Sequence, residues 1–381
     1  MSAAFPTDGG ANEAKEQFPL IFGLDTFGDL NREQGRPVSH AQTIRNVVEQ
    51  GVLAEQVGVD FFGIGEHHTD DFPMPAADVV LAAIAARTSR IHLGSAVTVL
   101  SSDDPVRVFQ RFSTLNALSG GRTEVVLGRG SSIESFPLFG FDLADYEELF
   151  EEKTELFAQI VRGGPVTWSG KTRAALHEQD IVPHIESGTL PVWIGVGGSP
   201  HSVIRAARHG FSLMLAIIGG SPVRFAPFSE LFRQALAKFG QPLRPIGVHS
   251  PGHVAETDEQ AKEEFWPPFR DVITRLGPSR GFPPPTPDFY EREVGPRGAL
   301  YVGSPETVAK KIARNLPILG ANRFDLKLGM PGMSQASLLR NIELYGTDVV
   351  PRVRELLGAV AHVGGGSGSQ GRRYASSDLL A

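Results

Sequence analysis

Residues 91–130 read IHLGSAVTVLSSDDPVRVFQRFSTLNALSGGRTEVVLGRG, and their order decides the fold. A β-branched run, IHLGSAVTVL, gives way to a helical stretch, PVRVFQRFSTLNALSGG, that ends on glycine, and a second apolar run, RTEVVLGRG, follows. Two strands joined through a helix run parallel, because a parallel pair needs a crossover and a helix is the usual one.

The pattern continues in both directions. Upstream lie a strand, PLIFGLDTF (19–27), a helix, SHAQTIRNVVEQGVLAEQVG (39–58), with Ser39 at its N-cap, a strand, VDFFGIG (59–65), and a helix, MPAADVVLAAIAARTS (74–89). Downstream come YEELFEEKTELFAQIV as helix, LPVWIGV as strand, SPHSVIRAARHG as helix, FSLMLAII as strand, SPVRFAPFSELFRQALAKFG as helix and RPIGVHSPGHVA as strand. A helix from about 257 to 276 precedes GPSRGFPPPTPDFYEREVGPRG (277–298), which is too rich in proline and glycine to be read as regular structure and is expected to be an insertion that could serve as a lid. SPETVAKKIARNLPILG, NRFDLKLG and QASLLRNIELYGTDVVPRVRELL then give helix, strand and one long helix. Eight strands interleaved with helices predict an α/β fold, a single (β/α)8 TIM barrel over residues 18–360 with the insertion near strands seven and eight. An open doubly wound sheet is the competing architecture, but neither glycine cluster completes the G-x-G-x-x-G that a dinucleotide domain carries. In a barrel the site lies at the C-terminal ends of the strands.

The formal net charge of −7 argues against a general nucleic-acid binder. With no cysteine, thiolate metal sites and a cysteine nucleophile are excluded. No signal-peptide pattern or run of 18 apolar residues is visible, so a soluble cytoplasmic protein without a membrane span is expected. Residues 1–17 and 361–381 read as flexible tails.

Three features at strand ends carry chemistry. GEHH (65–68) ends in two histidines; adjacent residues of extended chain face opposite sides, so His67 and His68 would not share a metal ion, and no metal is expected. An imidazole facing the mouth could act as a base or stabilise an anion, although both rings could equally cap the strand. GVGGSPHSVIRAARHG (195–210) starts a helix at Ser199-Pro200 with Arg205 and Arg208 and no acid; exposed amides and hydroxyls there make a phosphate seat or simply a capped helix. VGSPETVAKKI (302–312) is an internal control, because Glu306 already complements its dipole. Arg129, flanked by Gly128 and Gly130, is a second candidate for an anion contact, although an arginine in a loop is, taken alone, more often solvated or ion-paired. Phe136, Leu138, Phe139 and Phe141 suggest a partly apolar pocket.

With FGLDTF, GEHH, GSAVTVLSSDDPVRVFQRFSTLNALSGGR, LGRGSSIESFPLFGFD, and GSPETVAKKI followed by YGTDVVPRV in this order, the chain resembles the bacterial luciferase-like flavin-dependent monooxygenases from about Leu20 to Leu357. The resemblance implies a barrel that binds reduced FMN from a separate flavin reductase, forms a flavin hydroperoxide with O2 and oxidises a small organic substrate, as a homodimer. It implies that His67 assists the flavin with His68 in support, that Ala96 and Val97 form a non-prolyl cis peptide under the ring, and that Arg129, Gly198, Ser199 and Ser202 surround the phosphate. Light-emitting members have a reactive cysteine where this chain has Gly128 and a basic residue where it has Glu147, so luminescence is not expected, and Tyr146 is the substitute donor. A deazaflavin coenzyme for hydride transfer is the alternative within the superfamily, and a non-catalytic flavin-binding barrel the alternative outside enzymes.

Overall fold

Along the first strands, apolar residues and glycines alternate, and the two sets face different surroundings. In a computed structural model that describes residues 18–130, 134–278 and 283–364, Phe22, Leu24, Phe62, Ile64 and Leu93 are fully buried in the apolar layer that receives the helices. Each such side chain contributes about 1.5–3 kcal/mol by burial. The intervening Gly23, Gly63 and Gly94 face the other way, where a Cβ on each would come within 3.0 Å of the Phe61 ring. The glycines therefore make room for an aromatic ring inside a closed sheet.

Eight parallel strands form that sheet: β1 (Ile21–Thr26), β2 (Phe61–Ile64), β3 (His92–Ser95), β4 (Thr123–Gly128), β5 (Val192–Val196), β6 (Ser212–Ala216), β7 (Ile246–Val254) and β8 (Arg323–Leu328). Sequential neighbours pair throughout, and β8 returns to β1 in the register Phe22 to Phe324, which closes the (β/α)8 barrel. The helices are α1 (His40–Gln56), α2 (Ala77–Ala85), α3 (Pro105–Ser119), α4 (Tyr146–Val161), α5 (Pro200–His209), α6 (Ala226–Lys238), α7 (Asp258–Leu276), α8 (Pro287–Val294), α9 (Pro305–Leu319), α10 (Gln335–Leu344) and α11 (Val350–Gly364). Among the described residues no helix is long and apolar enough to cross a membrane.

The N-terminal end of the barrel is plugged by charge. Arg323, at the start of β8, donates through Nε to both Asp325 oxygens at 3.0 Å and through Nη1 to Glu124, while its guanidinium lies 3.9 Å from the Phe61 ring centre and 4.7 Å from that of Trp193. Trp193 Nε1 donates to the other Glu124 oxygen at 3.1 Å. Burial pushes the Asp325 carboxyl up to about 6 although Arg323 favours its charged form.

Two expectations are corrected. Residues 277–298 are not wholly irregular: Thr286 caps α8, with Pro287 at its first position where no donor is lost. Residues 279–282 of that stretch, and the tails at 1–17 and 365–381, lie outside the described residues. The last helix is interrupted by a π-helical turn, Tyr345–Val349, in which a Cβ on Gly346 would lie 2.4 Å from the Val57 side chain. Glu306 stands in the first turn of α9 as expected and also pairs with Arg352 at 2.8 Å, while Asp258 accepts from the Ser304 amide at 2.6 Å and the Thr307 hydroxyl at 2.9 Å.

Candidate active site at the C-terminal mouth of the barrel

β2 stops at Ile64 because the next residues are committed to the neighbouring loop. A Cβ at Gly65 would lie 2.5 Å from the Phe27 ring and 2.8 Å from the Ala96 carbonyl, so only glycine passes between them. The Glu66 amide donates to Val97 O at 3.0 Å and its carboxylate accepts from the Val99 amide at 2.9 Å. Thus anchored, the chain turns into a hairpin, His67–Thr69 against Phe72–Met74.

The two histidines face opposite sides. His67 is buried between Phe27 and Phe72, each 4.9 Å away centre to centre, and its Nδ1 is 3.1 Å from Glu134 Oε1. His68 bonds through Nε2 to Glu66 at 2.9 Å and meets Phe139 edge-on. It lines a cavity of about 380 Å³ beside the mouth, shared with Phe139, Phe141 and Lys153. Burial lowers Lys153 to about 8, and its ammonium donates to Ser101 O at 2.6 Å. Of the four expected pocket residues, Phe139 and Phe141 thus line a cavity, Phe136 is buried in the fold and Leu138 is exposed. Among the described residues no group of His, Asp or Glu could hold a metal.

Across the mouth, Phe27 stacks on His249 of β7 at 6.0 Å, and His249 Nδ1 lies 2.7 Å from Asp25. Burial opposes the imidazolium, but the Asp25 carboxylate outweighs it and raises the His249 pKa. Lys327, donating to Asp29 at 2.5 Å and to Gly329 O at 2.9 Å, sits 5.0 Å from the Phe27 ring centre. Glu134, Phe27 and the Asp25–His249 pair were not singled out in the sequence. The histidine within the interior strand IGVHSPGHV was the available signal.

The Ala96–Val97 peptide is cis. Val97 reaches over the ends of two strands: a Cβ on Gly128 would be 2.4 Å from Val97 Cγ2, and one on Gly195 3.2 Å from Val97 Cγ1. A cysteine at 128 is therefore incompatible with Val97 as placed.

The residues expected to form an anion seat lie at the ends of β4 and β5. Ser199 caps α5, accepting from the Ser202 amide at 3.4 Å, and a Cβ at Gly197 or Gly198 would meet nothing within 4 Å. Gly198 has φ +138°, so glycine holds this open backbone. Arg205 is buried beneath Ser202, 3.4 Å from its hydroxyl. Arg129 lies 5.1 Å from the Tyr146 ring centre, and the Tyr146 hydroxyl donates to Gly130 O at 2.9 Å, so Tyr146 braces the loop. The acid-free reading of α5 holds along its own sequence but misses α4: Glu147 pairs with Arg129 and, at 3.5 Å, with Arg205, while Glu151 takes Arg205 and Arg208 at 2.5 Å each. The expected residues thus follow the C-terminal ends of successive strands, His67 after β2, Ala96 and Val97 after β3, Gly128 and Arg129 at the end of β4 and Gly198, Ser199 and Ser202 after β5, while His68 turns away.

Residues 28–323 match the family described as luciferase-like monooxygenase. Limonene 1,2-monooxygenase of Rhodococcus erythropolis is 27% identical over 350 residues, 88% of this chain and 89% of that one. The oxygenating constituent of 3,6-diketocamphane monooxygenase from Pseudomonas putida, solved with FMN, shares the fold with TM-score 0.71 and 20% identity over 88% of this chain and 99% of that one. An F420-dependent secondary alcohol dehydrogenase shares it with TM-score 0.69 and 18% identity over 88% and 100%.

Proposed function

The chain belongs to the luciferase-like monooxygenase family, an oxidoreductase family, and from that premise we propose that it binds reduced FMN delivered by a separate reductase and oxygenates a small organic substrate. The observation that supports the reading is the open backbone at Gly197 and Gly198 before the Ser199 cap, at the same barrel end as the Phe27–His67 ring pair and Val97. A flavin phosphate fits the seat expected there: a Cβ at Gly197 or Gly198 would meet nothing within 4 Å, Ser199 and Ser202 offer hydroxyls, and Arg129 stands at the rim.

Bound there, reduced FMN supplies the two electrons that send one oxygen atom of O2 to water and the other into the substrate. His67, held by Glu134 at 3.1 Å and packed between two phenyl rings, presents a fixed imidazole that can hold or pass a proton. Phe27 and Phe72 keep water from that ring. The same seat would accept the phosphate of a deazaflavin coenzyme, so the phosphate contacts alone do not choose between oxygen transfer and hydride transfer. A homodimer and a cytoplasmic location remain part of the proposal.

The test is turnover with FMN, a flavin reductase, NADH and ¹⁸O2 over a panel of terpenes, ketones and thioethers. Product carrying one ¹⁸O supports the reading. Substrate oxidation that proceeds without O2 overturns it.

A further inference from the structure

We propose that Glu147 is a built-in competitor for the cofactor's phosphate, which keeps FMN an exchangeable cosubstrate instead of a resident group. This rests on the FMN reading above. Glu147 stands in the first turn of α4, and its two carboxylate oxygens take Arg129 Nη1 and, at 3.5 Å, Arg205 Nη2. A carboxylate bridging two guanidiniums has the charge and fork geometry of the ligand these arginines would otherwise receive.

The second Ser-Pro helix of the chain shows what a filled seat looks like. At α9, Asp258 accepts directly from the Ser304 amide and the Thr307 hydroxyl, and the start of the helix is closed. At α5, no carboxylate among the described residues reaches the Gly198 or Ser199 amides, and Glu147 acts only on the arginines at the rim. The amide half of the seat is open and the cationic half is occupied.

That division predicts a weak but phosphate-dependent site. An entering phosphate must take Arg129 from Glu147 and then tolerate a like charge beside it. Glu147 can yield, because 60% of its side chain is exposed, whereas Arg205 is 5% exposed and keeps Glu151 as a partner. Removing the Glu147 charge frees Arg129 and ends the repulsion together.

The experiment measures dissociation constants of FMN and of riboflavin, which lacks the phosphate, for the wild type, Glu147→Gln and Glu148→Gln at one ionic strength. Glu148, paired with Lys171, is the adjacent control. The expected result is FMN bound roughly tenfold tighter by Glu147→Gln, the scale of a charge–charge contact of about 1.4 kcal/mol, with riboflavin unchanged in every variant and Glu148→Gln like the wild type. Inorganic phosphate should displace FMN from Glu147→Gln at a correspondingly lower concentration. Unchanged or weaker FMN binding by Glu147→Gln, with riboflavin still bound, would overturn the proposal and leave the FMN reading standing. Loss of both ligands in Glu147→Gln alone would show a structural role and overturn it too, and failure of the wild type to bind FMN at all would overturn both.

Discussion

Replacing Gly128 by alanine puts the geometry of the mouth to a direct energetic test. The added Cβ would stand 2.4 Å from Val97 Cγ2 and 3.0 Å from Val97 Cβ, where carbon atoms at rest keep about 3.5–4.0 Å. Val97 cannot swing freely, because it packs on the small cluster of Val126, Trp193 and Met214. Overpacking of this kind costs about 1–3 kcal/mol. Val97→Ala alone removes two methyl groups from a partly buried side chain, at a cost of about 1 kcal/mol. In the double variant the contacts with the two Val97 methyl groups are gone and only the 3.0 Å approach to the Cβ remains, so the two costs should not add, and an interaction energy of about 1 kcal/mol in favour of the pair is expected. Urea denaturation of the four proteins of the cycle, with a common slope, gives the number. Additive costs, or a Gly128→Ala variant within about 0.5 kcal/mol of the wild type, would refute the placement of Val97 over the ends of β4 and β5.

Three further predictions concern other parts of the molecule. Arg323→Met strips Glu124 and Asp325 of their shared cation in the sealed end of the barrel and should cost about 3–5 kcal/mol in urea denaturation; a loss below about 1 kcal/mol would show that this network is solvated. Glu264, whose bond to His253 holds its carboxyl down to about 2 from the usual 4.5, contributes stability that is fully present above pH 4.5 and lost as the pH falls toward 2. The melting temperature of Glu264→Gln should therefore lie below that of the wild type at pH 7 and converge on it in acid, and a gap that stays constant with pH would contradict the assignment. His67→Ala should bind reduced FMN like the wild type while substrate oxidation falls roughly a hundredfold; unchanged turnover removes His67 from the chemistry.

The barrel was legible because its first strands alternate between apolar residues and glycines, and because helices such as α3, α5 and α9 begin on a side-chain cap and end on a glycine. The stretch around α8 was misread since proline at the first helical position looks, without its Thr286 cap in view, like a breaker. The split at Tyr345–Val349 was hidden for a different reason: the apolar period continues through the π turn, and Leu338, Ile342, Tyr345 and Val349 are all buried whether or not the hydrogen bonds shift. At the site, single-segment features carried over and cross-segment ones did not. Ser199 as a cap and the opposed faces of His67 and His68 follow from local geometry. Glu147 over Arg129, Glu134 on His67 and Asp25 on His249 join residues 18, 67 and 224 positions apart, and nothing in a linear pattern announces which acid will meet which base. For the same reason Asp258, which reaches the start of α9 from another element, is not legible beside Glu306 in the first turn of that helix.

The central claim, a barrel whose seat on β4 and β5 takes the phosphate of reduced FMN for reaction with oxygen, is tested most directly by anaerobic titration. The purified protein is titrated with reduced FMN and, in parallel, with the reduced deazaflavin coenzyme; air is then admitted in the presence of substrate. The account predicts saturable binding of reduced FMN in preference to the deazaflavin, and oxygenated product formed only after air enters. Preference for the deazaflavin, with substrate already converted before oxygen is admitted, would contradict it.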